Sequence, residues 1–263
     1  MGVVNATPDS FSDGGQFNDP VKAVAHGVRL ADDGASILDI GGESTRPGAD
    51  VISVDVELAR TVPIIETLAK RVEARISIDT RKPEVARKAI EAGAAIWNDV
   101  SALTYDPDSL HVAASLSCEI VLMHALGEPK TMQAAPHYDD VVEEVYAFLS
   151  RRIEACVAAG IETKRLIVDP GIGFGKTMEH NLSLLAHLSR FKTLGVRVLL
   201  GASRKRFIAA IDRDGPAADR IGGSLATALE GAKAGVDIIR VHDVAATRQA
   251  LAVSQAICGA HAT

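Results

Sequence analysis

The sequence predicts a single-domain α/β protein, a (β/α)8 TIM barrel over residues 1–263. Three observations predict it. The chain has 263 residues, 47% of them hydrophobic, which is enough for one sizeable core. Eight short runs rich in β-branched residues recur along it, and amphipathic segments with helix punctuation lie between them. A doubly wound sheet is the rival architecture, but it would normally carry a glycine fingerprint at its first strand, and none stands there.

In order the runs are MGVVN (1–5), SILDIG (36–41), RISIDT (75–80), AAIWNDV (94–100), EIVLMH (119–124), LIVDPG (166–171), VRVLLGAS (196–203) and DIIRVHDV (237–244). They are near-continuously apolar rather than alternating, as parallel strands covered on both faces should be. After the first run, PVKAVAHGVRLADDGA reads as a helix, with Pro20 at its start, Val21, Val24, Val28 and Ala31 on one face, and Gly34 past its end. KPEVARKAIEAGA repeats the device with Pro83 and Gly93. DDVVEEVYAFLSRRIEACVAAG buries Val142, Val145, Leu149 and Cys156 and stops at Gly160. Segments 177–194 and 222–234 read as helices followed by Gly195 and Gly235, and another helix is expected from Ser203.

Against 28 Lys and Arg stand 34 Asp and Glu, a net charge of −6. That argues against nucleic acid or an anionic membrane surface as the main partner, although a local cation cluster could hold a small anion. Cys118, Cys156 and Cys258 lie far apart in apolar or helical surroundings, so buried, reduced thiols and a cytosolic setting are expected. No charged segment leads into an apolar signal core, and no run reaches the roughly 18 apolar residues of a membrane span. A soluble, intracellular protein is expected.

The strand ends carry the chemistry. Asn5, Asp39, Asp79, Asn98, His124, Asp169, Ser203 and His242 each fall at or near the C-terminal end of a run. Strands also end simply where polar residues begin, but in a barrel these ends share one mouth, so the eight groups should converge on one cavity. DPGIGFGKT (169–177) is neither a Walker loop, because Pro170 replaces the first Gly, nor a dinucleotide fingerprint, because Lys176 replaces the third. Its alternate glycines allow close backbone approach to a flat ligand, and Asp169 suits the paired N–H edge of a planar heterocycle. An N-cap or a structural salt bridge is the alternative for Asp169.

Arg204, Lys205 and Arg206 follow the seventh run, and Arg240 and His242 sit on one side of the eighth, where barrels usually bind phosphate. For Arg206 alone a surface salt bridge is expected. NATPDSFSDGG after the first run and GGESTRPGA after the second are long, polar and turn-rich, like lids.

Taken in order through nearly the whole chain, NATPDSFSDGG, GGESTRPG, SIDT, NDVSAL, MHALGEPKTMQ, DPGIGFGK, GASRKRF and RVHDV resemble dihydropteroate synthase. The resemblance implies a (β/α)8 barrel enzyme joining 4-aminobenzoate to 6-hydroxymethyl-7,8-dihydropterin diphosphate in folate biosynthesis, with release of diphosphate. It implies that Asp79, Asn98 and Asp169 hold the pterin with Lys205 beside it, and that Asn5, Arg240 and His242 hold the diphosphate with Mg²⁺. It assigns Thr45, Arg46, Pro47, Ser203, Phe174 and Phe11 to the aminobenzoate pocket, where sulfonamides compete, with Asp13 reaching in from the first loop. A dissociative, SN1-like path and a cytoplasmic homodimer built on the late helices are implied as well. Departures are few: Ala6 stands where Val is usual, HALG replaces a Met-Gln-Gly form, and the chain begins almost at its first strand. A pterin-binding methyltransferase would need neither the two lids nor the Arg240–His242 pair, and a silent paralogue would be expected to lose them.

Overall fold

The computed structural model describes residues 1–6, 20–44, 49–127 and 136–260. Eight parallel strands pair in sequence order: β1 (Gly2–Asn5), β2 (Ile37–Gly41), β3 (Arg75–Asp79), β4 (Ile96–Asp99), β5 (Glu119–Met123), β6 (Leu166–Asp169), β7 (Arg197–Leu200) and β8 (Ile238–Ile239). A parallel bridge between Gly2 and Val241, with Val3 N donating to Val241 O at 3.1 Å, closes the ring. The single-domain (β/α)8 barrel read from the sequence is therefore the fold.

Strand residues alternate between two cores. Outward side chains such as Leu38, Ile40, Ile78, Trp97, Ile120 and Leu122 pack under the helices. Inward ones, Ile37, Ile96, Val121, Ile167 and Leu199, form a separate cluster inside the ring, with Ile238 packed against it. Burying one such side chain is worth about 1.5–3 kcal/mol, so a barrel filled this way is a plugged core rather than a channel.

The helices are α1 (Pro20–Asp32), α2 (Val54–Leu68), α3 (Pro83–Glu91), α4 (Ser109–Ser115), α5 (Val141–Ala158), α6 (Met178–Ala186), α7 (Leu188–Lys192), α8 (Arg206–Ile211), α9 (Ile221–Lys233) and α10 (Val244–Ala260). Four expectations change. On α1 the buried face is Ala23, Val24, Gly27 and Leu30, while Val21 is 75% exposed. Pro20 heads the helix, and the first-turn Val21 projects before the barrel begins. The stretch 177–194 breaks at His187 into α6 and α7, α6 opening on a capping box between Thr177 and His180.

No helix starts at Ser203. Arg204 adopts φ +58 and gives its N–H to Ser224 Oγ at 2.8 Å, so helical geometry begins only at Arg206. Cys118 and Cys156 are buried as expected, but Cys258 is exposed, because the second half of α10 projects beyond the barrel. Among the described residues no helix is long and apolar enough to cross a membrane.

Candidate active site

The two-residue strand period places the site. Two positions after the inward apolar residues Ile37, Ile96, Ile167 and Ile238 stand Asp39, Asn98, Asp169 and Arg240. The polar groups therefore form a layer directly above the apolar plug, at the C-terminal mouth. Asp79 joins them from β3, in register with Asn98 on one side and on the other with Gly41, two positions beyond Asp39.

These groups touch. Arg240 Nε donates to Asp39 Oδ2 at 2.6 Å, and Arg240 Nη2 to Asp79 Oδ2 at 2.9 Å. Asn98 Nδ2 donates to the same Asp39 oxygen at 3.1 Å. A Cβ placed on Gly201 would lie 3.5 Å from Asp169 Oδ2 and 4.0 Å from Arg240 Cδ, which brings Asp169 into the same hollow. Asp79, Asn98, Asp169 and Arg240 thus converge as the sequence predicts. Arg240, however, is no open anion donor: two of its nitrogens are committed to carboxylates.

Burial sets the electrostatics. It raises Asp79 to about 7, helped by the neighbouring charge of Asp39 and opposed by Arg240. Burial also raises Asp169, against a bond from Gly171 N to its Oδ1 at 2.7 Å and the pull of Lys205. Lys205 is lowered to about 8 by burial and by Arg240. Arg240 is held above its usual range: burial pulls it down, but Asp39 and Asp79 outweigh that.

The bond from Gly171 N to Asp169 answers the alternatives raised above. Asp169 makes no ion pair with a described residue; one oxygen shapes the following turn, and Oδ2 is left toward the hollow. The glycines of this loop serve a purpose different from the one expected. At φ +69 a Cβ on Gly171 would collide with the carbonyl oxygen of His124, and one on Gly175 would sit 2.5 Å from that of Leu126. Their close approach is to the segment after β5, not to a ligand. Only Gly173 faces the site, against the stem of Lys205.

Of the three cations after β7, Lys205 alone enters the hollow, its Nζ 4.1 Å from the centre of the Phe174 ring. Arg204 pairs with Asp243, its Nε 2.9 Å from Oδ2. Arg206 is exposed and has no ion pair with a described residue, so the surface bridge expected there is absent among them. Ser203 Oγ accepts the His242 backbone N–H at 3.2 Å and lies 3.0 Å from His242 Nδ1. That hydroxyl can give its proton to Nδ1 or take one from it, so the pair orients the ring in either tautomer. Burial and Arg240 lower His242 to about 4, so near neutral pH the ring is uncharged, with one donor and one acceptor nitrogen.

Asn5 ends β1 beside Gly41, which abuts Asp79. Among the described residues no group of three His, Cys, Asp or Glu is arranged to hold a metal. Magnesium that keeps most of its water and takes substrate phosphates needs few protein oxygens, and the Asn5 amide oxygen would be one donor of that type. Phe11, Asp13, Thr45, Arg46 and Pro47 lie outside the described residues.

Sequence reasoning gave two sets of buried polar groups no role. Asp39 is named above only as a strand end, yet it is the most heavily bonded carboxylate in the hollow; the Ile-x-Asp spacing was its signal. The second set is Lys176, whose Nζ is 2.9 Å from His124 Nδ1 and donates to the carbonyls of His124 and Phe174. Burial lowers Lys176 to about 7 and, with Lys176 itself, His124 to about 3. This pair pins the Phe174 loop to the end of β5.

A barrel whose mouth offers buried carboxylates, an amide, an ammonium and a partly committed guanidinium is an enzyme of the kind that grips a flat, donor-rich heterocycle beside an anion. Residues 1–242 match the family of pterin binding enzymes. The dihydropteroate synthase of Escherichia coli (strain K12) is 48% identical over 260 residues, covering 99% of this chain and 92% of that one. The structure of Xanthomonas albilineans dihydropteroate synthase with 4-aminobenzoic acid superposes with a TM-score of 0.92 at 52% identity, covering 98% and 92% of the two chains. The complex of that organism's enzyme with 7,8-dihydropteroate gives 0.88 at 49%, again covering 98% and 92%. The chain belongs to the pterin-binding enzymes and, among them, to the dihydropteroate synthase family.

Proposed function

We propose that the protein joins 4-aminobenzoate to 6-hydroxymethyl-7,8-dihydropterin diphosphate, giving 7,8-dihydropteroate, diphosphate and a proton. One observation carries the reading: the acceptors Asp79, Asp169 and the Asn98 carbonyl share a hollow with the ammonium of Lys205. Acceptors suit an edge where an amino group and ring N–H stand side by side, and Lys205 suits a ring carbonyl. The relatives bound to 4-aminobenzoic acid and to 7,8-dihydropteroate support the choice of substrates.

Breaking the C–O bond puts negative charge on the diphosphate and positive charge on the pterin methylene. Arg240 Nη1, which bonds to no carboxylate among the described residues, and the uncharged ring of His242 would receive the first. Asp79 and Asp169 beside the ring favour the second, which supports a dissociative, SN1-like displacement. Asn5 would hold Mg²⁺, which would supply neutralisation of the diphosphate charge. The aryl amine then needs positioning more than activation, the task assigned to Thr45, Arg46, Pro47, Ser203, Phe174 and Phe11, with Asp13 from the first loop excluding water.

The test is diphosphate release from both substrates with Mg²⁺; no release from the pair overturns the reading. A pH profile sharpens it. Asp79, at about 7, must be ionised to accept N–H donors, and Lys205, at about 8, must be protonated to donate. The kcat/KM for the pterin substrate should therefore fall on both sides of a narrow optimum between those values. A flat profile from pH 6 to 9 would contradict these roles.

A cytosolic setting is supported by the three free cysteines. The homodimer is assigned to the late helices because α10 leaves Val253 and Ile257 more than half exposed. Ile257→Lys should then yield a monomer in sedimentation velocity; an unchanged dimer would place the interface elsewhere.

A further inference from the structure

Asp39 is fully buried at the end of β2, and its Oδ2 takes hydrogen bonds from two sides, Arg240 Nε at 2.6 Å and Asn98 Nδ2 at 3.1 Å. Its Oδ1 is buried without a partner among the described residues. We infer that Asp39 is a positioning residue that fixes the orientation of the Asn98 carboxamide and the Arg240 guanidinium, joining the heterocycle-binding and anion-binding halves of the site through one carboxylate oxygen. The inference rests on the pterin reading above and adds a residue to which that reading gives no role.

A carboxylate paired with a guanidinium only accepts, so Asn98 must turn its NH₂ toward Asp39 and its carbonyl toward the hollow. Without that constraint the two orientations of the amide would be nearly equal in energy. One of them would point N–H at the N–H edge of the ligand, leaving buried donors unpaired. The same oxygen holds Arg240 by Nε while Asp79 holds it by Nη2, so Nη1 is the edge left for an anion. A purely structural Asp39 would secure the barrel seam with no consequence for which face of Asn98 meets the ligand.

Asp39→Ala, Asn98→Ala and the double variant, made in the full chain, separate these roles. The probes are 6-hydroxymethylpterin and inorganic diphosphate with Mg²⁺, titrated separately by calorimetry. Asp39→Ala, which removes the shared acceptor oxygen, should weaken pterin about tenfold, and the double variant should bind pterin no more weakly than Asn98→Ala alone. Diphosphate affinity should fall in Asp39→Ala and not in Asn98→Ala.

A pH series adds a readout that a structural role would not move. Asp79 is faced by Asp39 from β2, Glu57 from α2, Asp99 from β4, Lys205 after β7 and Arg240 after β8. Removing the Asp39 charge should shift the acid limb of pterin binding to lower pH. If Asp39→Ala does not fold, Asp39→Ser, which leaves room for a water, takes its place in the cycle. Additive losses, or unchanged pterin affinity in a folded variant, overturn the inference. Failure of the wild type to bind pterin overturns the reading beneath it instead.

Discussion

Asp169→Asn is expected to weaken pterin binding about a hundredfold, ~2.7 kcal/mol, while melting no earlier than the wild type. The two halves of that expectation come from the two oxygens. Oδ1 accepts the Gly171 N–H at 2.7 Å and holds the turn that carries Phe174 and Lys176. An asparagine carbonyl can take over that bond, so the loop stands. Oδ2 is the atom left toward the hollow, and in asparagine it becomes an NH₂ group facing ligand N–H. Two donors then face each other in a space that water cannot relieve, and the site loses a charge-assisted bond as well.

Stability moves the other way. Burial raises the Asp169 pKa, so the ionised carboxylate is disfavoured in the folded state. For such a group the favourable contribution is present below its unfolded pKa and is lost as pH rises through the folded value. Near neutral pH the charge is a cost, and a neutral amide removes it. Calorimetric titration and thermal melting of the same sample check both halves. Intact pterin affinity, or a melt far below wild type, would mean that Asp169 serves the fold and not the ligand.

Much of this site is legible in the sequence, for a physical reason. In four of the strands an inward isoleucine precedes the site residue by two positions, so the period that builds the plug also aims Asp39, Asn98, Asp169 and Arg240. What the sequence hid is who bonds to whom. Arg240 reads as a free cation because its partners lie 201 and 161 residues away, and only ring closure brings them together. The GIGFG glycines read as room for a ligand, whereas the space they create is filled by the backbone of His124 and Leu126, which no local pattern announces. Likewise Arg204 continues an apparent helix start, and only its long-range bonds to Ser224 and Asp243 reveal a left-handed turn.

Long-range pairing also governs the largest effect on stability. Lys82→Met is expected to destabilise the fold by about 3–5 kcal/mol. On a chain of this size that lowers the melting point by roughly 10 °C. Lys82 Nζ lies between two carboxylates, 2.8 Å from Glu43 Oε1 and 2.6 Å from Glu57 Oε2, and all three side chains are buried. Glu43 would keep Arg81 Nε at 3.1 Å and the N–H of Ile52 at 2.9 Å. Among the described residues Glu57 would keep no partner, since its Oε1 already lacks one there.

The penalty should therefore arise from one stranded charge, and Glu57→Gln in the Lys82→Met background should recover most of it. Equal melting of the single and double variants would disprove that origin. The rescued double variant then reports on function. Glu43 and Ile52 bracket the segment carrying Thr45, Arg46 and Pro47, and Gly42 packs against Thr61 and Glu57 of α2 with no room for a Cβ. With the Lys82 tie gone and the fold restored, the KM for 4-aminobenzoate should rise severalfold while pterin affinity holds. A loss falling equally on both substrates would show instead that the network supports the whole barrel mouth and not that one segment.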